Sequence, residues 1–99
     1  AVDISNACGT TVTAAAEGLV VQTGNPEDWN DGYGGFTEIE HPNGTATRYG
    51  HLSRVTVPAG SYVARSEKIA EIGNTGNVVG TTGCHLHFEV RGARNPFAR

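Results

Sequence analysis

The chain has 99 residues, which is enough for one domain with a modest core and too few for two. Its formal net charge of −3 argues against the basic surface that nucleic-acid binding requires. The sequence holds no run of 18 apolar residues, so we expect no membrane span in it. Low hydrophobic content (37%) together with 14 glycines favours a globular protein of short strands and tight turns over disorder.

The first quarter of the chain favours short strands. Val2-Asp3-Ile4 alternates apolar and acidic residues, which places Asp3 on the face opposite the core. Residues 10–16 and 18–22 are rich in β-branched and small residues and predict two further strands. The cysteines, Cys8 and Cys84, are far apart and form no CxxC pair, so a redox motif or a zinc finger is disfavoured.

Residues 23–35 predict a long loop, because they contain Asn-Pro, Asn-Asp-Gly and Gly-Gly. A loop of this length in a small domain is often functional. It holds the only tryptophan, Trp29, and also Tyr33, which are our candidate substrate-binding residues. The alternative is a plain exposed loop.

Residues 36–41 and 45–52 predict a β-hairpin, because Asn43-Gly44 is a strong turn signal between them. His51 lies at the far end of the second strand, whereas His41 lies beside the turn. The two histidines should therefore not share a site, and we interpret His41 as structural.

The following segments continue the same pattern. We expect a pair of short strands at 55–57 and 61–64, a strand at 68–72, and turns at 74–77 and 80–83. No segment of ten residues has a helical period. The sequence therefore predicts an all-β fold of antiparallel strands.

The last of these strands, within Gly83–Val90, carries two histidines one residue apart. Side chains repeat every second residue on a strand, so His85 and His87 leave the same face about 7 Å apart. The opposite face, directed into a core, consists of Leu86, Phe88 and Val90. Two imidazoles on one wall suit a zinc site, and the alternative is a strand whose histidines face water.

Three motifs then occur in an order typical of one family: Val2-Asp3-Ile4, Tyr49-Gly50-His51-Leu52-Ser53, and Gly73-Asn74-Thr75-Gly76 leading to Thr82–Val90. Together they resemble the lysostaphin/LytM-type zinc metallopeptidase domain, peptidase family M23. The resemblance covers nearly the whole chain, as a single domain spanning residues 1–99. It implies an antiparallel β-sheet or sandwich whose long loops form a groove. It also implies a zinc-dependent endopeptidase that hydrolyses peptide cross-links or bridges of bacterial peptidoglycan.

The resemblance also implies roles for particular residues. One Zn²⁺ ion per domain is held by Asp3, by His87 and by a further histidine that would fall two residues before Ala1, so we expect a domain truncated at its N-terminus. His51 and His85 resemble the two catalytic histidines that do not bind the metal. Imidazoles suit proton transfer near neutral pH and can also stabilise an oxyanion, and the sequence does not divide these roles between them.

Two other functions compete with this hypothesis. One is a catalytically silent family member that binds the cell wall or regulates another hydrolase. The other is a biotinyl- or lipoyl-type carrier, which is disfavoured because Lys68 runs into a strand and not into an exposed hairpin tip. On the peptidase hypothesis the partners are peptidoglycan stem peptides or cross-bridges. The protein would then be a monomer located in the cell envelope or outside the cell.

A disulfide follows if Asp3 and His87 meet at one zinc ion, as the resemblance implies. Their strands are then neighbours, and Cys8 and Cys84 can approach the Cα separation of roughly 4.4–6.8 Å that the bond needs. A cell-wall enzyme also works where disulfides persist. The alternatives are two buried free thiols, or Cys84 as a metal ligand, although Cys84 would point away from the face of His85.

The first prediction concerns the metal. The 99-residue chain offers two of the ligands that the resemblance implies, so it should bind zinc weakly. A form that carries several native residues upstream of Ala1 should bind one zinc ion per chain, as measured by metal analysis after dialysis. Equal and stoichiometric zinc in both forms would show that the third ligand comes from elsewhere, His85 being the first candidate.

Overall fold

The structure is a computed structural model that describes residues 2–76 and 83–92. It contains eight strands: β1 (Val2–Ser5), β2 (Thr11–Thr13), β3 (Gly18–Gly24), β4 (Gly35–Glu40), β5 (Ala46–Val55), β6 (Tyr62–Val63), β7 (Lys68–Ile72) and β8 (His85–Arg91). A short 3₁₀ turn covers Asn30–Gly32. The prediction of an all-β fold is confirmed. Residues 80–82 of the turn predicted at 80–83, and residue 77 of that predicted at 74–77, lie outside the described residues.

Every strand pair of the described chain is antiparallel. The strands form one sheet in the order β1-β8-β5-β4-β3-β6, and β7 joins it by pairing with both β5 and β2. In residues 2–76 and 83–92 we find no helix with the length and apolar character needed to cross a membrane. β5 is the longest strand and has three partners, β4, β8 and β7, so the sheet is built around it.

The core lies against β5 and β7. Tyr49, Leu52, Ile39 and Ile69 are among its largest fully buried side chains. Leu86 of β8 is buried with them, which agrees with the prediction that this side of β8 faces inward. The remaining members of the core cluster are Val12, Ala14, Val20, Val63, Ala70, Ile72 and Cys84.

A chain of hydrogen bonds crosses this core from His41. The imidazole Nδ1 lies 2.7 Å from the carbonyl oxygen of Glu17, which can only accept, so Nδ1 donates. Nε2 then accepts from the hydroxyl of Thr47 at 2.9 Å, and Thr47 in turn accepts from the Tyr49 hydroxyl at 2.8 Å. The Tyr49 hydroxyl accepts a hydrogen bond of 3.0 Å from the amide of Ala15. Within the described residues the His41 ring thus connects the Glu17 backbone to the hydroxyl of Thr47, which is consistent with a structural role.

The pairing expected between residues 55–57 and 61–64 is wrong. Tyr62 and Val63 of β6 pair with Gly18 and Leu19 of β3, and Val55 pairs with Ala70 of β7. Alternation indicates which face a residue occupies but carries no information about which strand will be the partner.

Three smaller expectations also need correction. Val90 is 63% exposed, because the core ends near Phe88, which is itself only partly buried. Of the strand expected at 10–16, only residues 11–13 are extended. The loop expected at 23–35 starts later, because Thr23 and Gly24 still pair with Thr37 and Phe36.

The structure links Cys8 to Cys84 through a disulfide, with Cα atoms 5.1 Å apart. The Asn6 amide also donates to the Cys84 carbonyl at 3.2 Å, so the backbone after β1 and the backbone before β8 are held side by side. The bond closes a loop across a sequence separation of 76 residues.

Removal of this bond should destabilise the domain. The chain-entropy relation gives roughly 4 kcal/mol for a loop of this length, a large part of the usual 5–15 kcal/mol. The double variant Cys8→Ala, Cys84→Ala should therefore lose about that much free energy of unfolding in a urea titration. Thiol titration of the denatured, unreduced wild-type protein is the check, since two free thiols per chain would contradict the disulfide.

Candidate active site

The pairing of β1 with β8 places Asp3 directly opposite His87. The Asp3 Oδ1 atom lies 2.9 Å from His87 Nδ1. On its other edge β8 pairs with β5, and there His87 is opposite Gly50. Two strands that are distant in sequence thus bring the aspartate and the histidine together beside the middle of β5.

His51 follows Gly50 and has an unusual backbone. Its φ angle is +61°, in the left-handed region that residues other than glycine seldom occupy. The ring is buried, and it lies 4.7 Å from the ring of His85 and 5.6 Å from that of His87, measured between centroids. The structure therefore brings Asp3, His51, His85 and His87 into one cluster.

The surrounding loops hold His51 in this conformation. Its amide donates to the carbonyl of Tyr33 at 2.7 Å. Its Nδ1 lies 2.6 Å from the carbonyl oxygen of Thr75 and must donate, because that oxygen only accepts. The Thr75 hydroxyl donates to Leu52 O at 2.7 Å and accepts from the Gly35 amide at 3.0 Å. Thr75 is thus a supporting residue, and its role depends on long-range contacts that the sequence pattern does not reveal.

Tyr33 lies at the site, whereas the side chain of Trp29 is largely exposed. The Tyr33 ring meets the His87 ring edge-on at 5.9 Å, and the guanidinium of Arg48 lies over its face at 4.7 Å. Arg48 is itself held by Glu38, whose Oε1 accepts from Arg48 Nε at 2.7 Å. Trp29 is 63% exposed, a position from which it can meet a ligand but contacts little of the domain.

Our sequence interpretation missed Glu89. Its Oε1 atom lies 2.9 Å from His87 Nε2 and accepts a hydrogen bond of 2.8 Å from the Tyr33 hydroxyl. The signal was present, because alternation along β8 places residues 85, 87 and 89 on one face. Two carboxylates therefore flank the His87 ring, one at each nitrogen.

The pKa shifts follow from this arrangement. Burial lowers the pKa of His51, although its hydrogen bond to Thr75 acts in the opposite direction. Burial also disfavours the charged form of His87, but hydrogen bonds to Glu89 and Asp3 outweigh it and raise the pKa of this imidazole. The bond to His87 lowers the pKa of Asp3.

The site is open to solvent on one side. The Asp3 side chain is 59% exposed and that of His87 is 21% exposed, whereas His51 and His85 are buried behind them. A separate open cleft of about 590 Å³ is lined by residues 23–26 and 53–58, and none of the four clustered residues lines it. We therefore locate the site by its side chains and not by this cleft.

The donor atoms fit part of a zinc site. Within the described ranges 2–76 and 83–92, no three His, Cys, Asp or Glu side chains are arranged to hold a metal ion. Asp3 and His87 nevertheless present a carboxylate oxygen and an imidazole nitrogen 2.9 Å apart. Zinc bonds of about 2.0–2.2 Å in a tetrahedron separate two ligands by about 3.4 Å, so a small opening of the pair would admit the ion.

Comparisons with known proteins agree with the fold. The family model "Peptidase family M23" matches residues 1–98. A peptidoglycan DD-endopeptidase of Vibrio cholerae, ShyA, is 41% identical over 88 residues, which are 89% of this chain and 19% of that protein. The catalytic domain of lysostaphin from Staphylococcus simulans superposes with a TM-score of 0.77 at 32% identity, covering 96% of this chain and 73% of that domain.

A third similarity is to a solved structure described as a zinc-containing peptidase from Vibrio cholerae. Its TM-score is 0.75 at 37% identity, covering 90% of this chain and 25% of that one. The fold and the histidine cluster thus define a metallopeptidase-type domain. The chain belongs to peptidase family M23. It spans about a fifth of the length of the curated relatives it matches.

Proposed function

We propose that the domain is a zinc-dependent endopeptidase that hydrolyses peptide cross-links or bridges of bacterial peptidoglycan. The observation that carries the proposal is the Asp3–His87 pair, 2.9 Å apart, with the rings of His51 and His85 packed beside it. The names of the relatives support the substrate class, because ShyA is a peptidoglycan DD-endopeptidase and Mpg of Neisseria meningitidis a DD-carboxypeptidase/endopeptidase.

In this proposal Asp3 Oδ1 and His87 Nδ1 would hold the zinc ion. Bound zinc would polarise the scissile carbonyl and lower the pKa of a water molecule to about 7. Both ligand atoms lie on the solvent-exposed side of the cluster, where an extended peptide could reach them.

His51 is suited to accept a proton at Nε2. Its Nδ1 proton is committed to the Thr75 carbonyl, so Nε2 carries the lone pair. The lowered pKa keeps the ring neutral near pH 7, which is the state that a general base needs. We assign His51 the removal of a proton from the attacking water.

His85 is left with the donor role. It is buried beside His51, and its Nδ1 has no hydrogen-bond partner within the described part of the chain. An imidazole can donate to charge that develops on the substrate, either at the carbonyl oxygen or at the leaving amine, and we assign this role to His85 because its ring packs 4.7 Å from that of His51.

The remaining assignments concern the substrate and the compartment. Tyr33, beside His87, and the exposed ring of Trp29 are proposed to contact the peptide. The Cys8–Cys84 disulfide supports a location in the cell envelope or outside the cell, where such bonds persist. We propose that the domain acts there as a monomer.

Single substitutions should separate the metal ligands from the proton-transfer residues. In the form that carries the native residues upstream of Ala1, His87→Ala should lose both zinc and hydrolysis. His51→Ala and His85→Ala should keep zinc and lose roughly 10²–10⁴-fold in rate. Metal analysis and a peptide-hydrolysis assay on the same samples provide the two readouts, and His41→Ala, outside the site, tests for general destabilisation. Loss of zinc in His85→Ala, but not in His87→Ala, would reverse the assignment.

The bond that is cleaved can be read from cell-wall digests. Zinc-supplemented protein is incubated with walls that contain glycine bridges and, separately, with walls that contain direct D-Ala–diaminopimelate cross-links. Mass spectrometry of the soluble fragments should show new amino termini in one of the two. The Asp3→Ala variant is the matched control and should release none.

A second function is favoured by one observation. The described residues contain no complete three-residue metal group, which also fits a silent domain that binds the wall or regulates another hydrolase. The same digests separate the two functions. A protein that sediments with the walls but releases no fragment, with or without zinc, would support the silent domain.

A further inference from the structure

We propose that Glu89 is a positioning residue that holds the His87 ring with Nδ1 directed toward Asp3. The inference deepens the proposed function and rests on it, since it assigns a residue that orients one of the proposed zinc ligands. Ligand imidazoles commonly donate their second nitrogen to a carboxylate or a carbonyl, and this contact fixes the ring.

The geometry of β8 brings Glu89 to the ring. Both side chains leave the same face of the strand, and Glu89 Oε1 lies 2.9 Å from His87 Nε2. Both side chains are also largely shielded, at 23% and 21% exposure. Because the contact joins neighbours on one rigid strand, little freedom is lost in forming it.

The contacts of the two His87 ring nitrogens indicate which of them would bind the ion. A carboxylate only accepts, so in the absence of an ion each His87 nitrogen carries the hydrogen of its own contact, Nε2 toward Glu89 and Nδ1 toward Asp3. A nitrogen that binds a metal must be free of its proton, so an ion held by Nδ1 and Asp3 would replace the hydrogen between them and leave the Nε2 contact with Glu89 intact. Nδ1 is the nitrogen that faces Asp3, at 2.9 Å.

Glu89 is itself held in place. Its Oε1 also accepts from the Tyr33 hydroxyl at 2.8 Å, and its Oε2 lies 3.5 Å from Arg91 Nη2. The Tyr33 ring is fixed under the guanidinium of Arg48. The orientation of His87 is therefore connected to β5 and to the loop that precedes β4.

These contacts also decide which carboxylate faces the metal. Oε1 of Glu89 is shared between His87 and Tyr33, so its capacity to accept is already used. Asp3 is the more exposed of the two, at 59%, and within the described residues its side chain contacts only His87 by hydrogen bond. Asp3 is therefore freer than Glu89 to turn an oxygen toward an ion.

The first measurement is zinc affinity, by competition with a chromophoric chelator, in the form that carries the native residues upstream of Ala1. Glu89→Ala should bind zinc about 10–100-fold more weakly than the wild type. Glu89→Gln keeps a carbonyl oxygen that can accept from Nε2 and should bind within a few-fold of the wild type. Glu40→Gln removes the same charge at an exposed position at the opposite end of the β4–β5 pair from His51, and it should have no effect.

The second measurement uses the zinc-free protein. The Nε2-bound hydrogen of His87 should give a protected signal in ¹H–¹⁵N spectra of the wild type, because Glu89 accepts it. The signal should persist in Glu89→Gln and disappear in Glu89→Ala, while the backbone amide spectrum of the sheet stays unchanged. If Glu89 acted only in folding, its removal would alter the backbone amide signals as well as this one.

The possible results of these measurements distinguish failure of this proposal from failure of the proposed function. Equal weakening by Glu89→Gln and Glu89→Ala would show that Glu89 acts only through its charge, and the proposal would fail. Zinc lost in Glu89→Ala but retained in Asp3→Ala would make Glu89 the ligand and would also overturn it. Absence of zinc binding in every form would instead count against the proposed function, and the Nε2 signal would still decide whether Glu89 positions the ring.

Discussion

The site depends on the point at which β5 changes partners. Up to Gly50 the strand pairs with β8, and from Leu52 onward it pairs with β7. His51 lies between them with a φ angle of +61°, a conformation that costs a non-glycine residue of the order of 1–3 kcal/mol. Two hydrogen bonds, from its amide to Tyr33 and from its ring to Thr75, offset this cost. The change of partner thus directs the imidazole of His51 toward those of β8.

The two loops that accept these hydrogen bonds support each other. A Cβ atom on Gly34 would lie 2.4 Å from the amide nitrogen of Gly76, and one on Gly76 would lie equally close to that of Gly34. Both glycines also have positive φ angles, so a side chain at either would clash and strain the backbone. The close approach of the loops holds Tyr33 and Thr75 on either side of His51. The glycines that mark these segments as loops therefore allow the packing that supports the histidine.

The sequence predicts what depends on local periodicity and turn chemistry, and little else. The strand at Lys68–Ile72 and the hairpin around Asn43-Gly44 were correctly predicted, because short alternating runs and an Asn-Gly turn are local signals. The pairing partner of β6 was not correctly predicted, because that pairing depends on packing against β3, about forty residues earlier in the chain. The exposure of Val90 was also missed, since periodicity does not reveal where the core ends.

The same division applies to the site. The shared face of His85 and His87 follows from a period of two, and the period places Glu89 beside them. The position of His51 next to both rings does not follow, because an ideal strand would not contain its positive φ angle. A regular strand thus supplies His87 and Glu89, while an irregular backbone supplies His51. The ring on the regular strand is held at both nitrogens by carboxylates, whereas within residues 2–76 and 83–92 the ring on the irregular strand has a hydrogen bond at Nδ1 alone. That asymmetry is consistent with the roles proposed above, in which His87 is a metal ligand whose ring is positioned from its other nitrogen and His51 is a base.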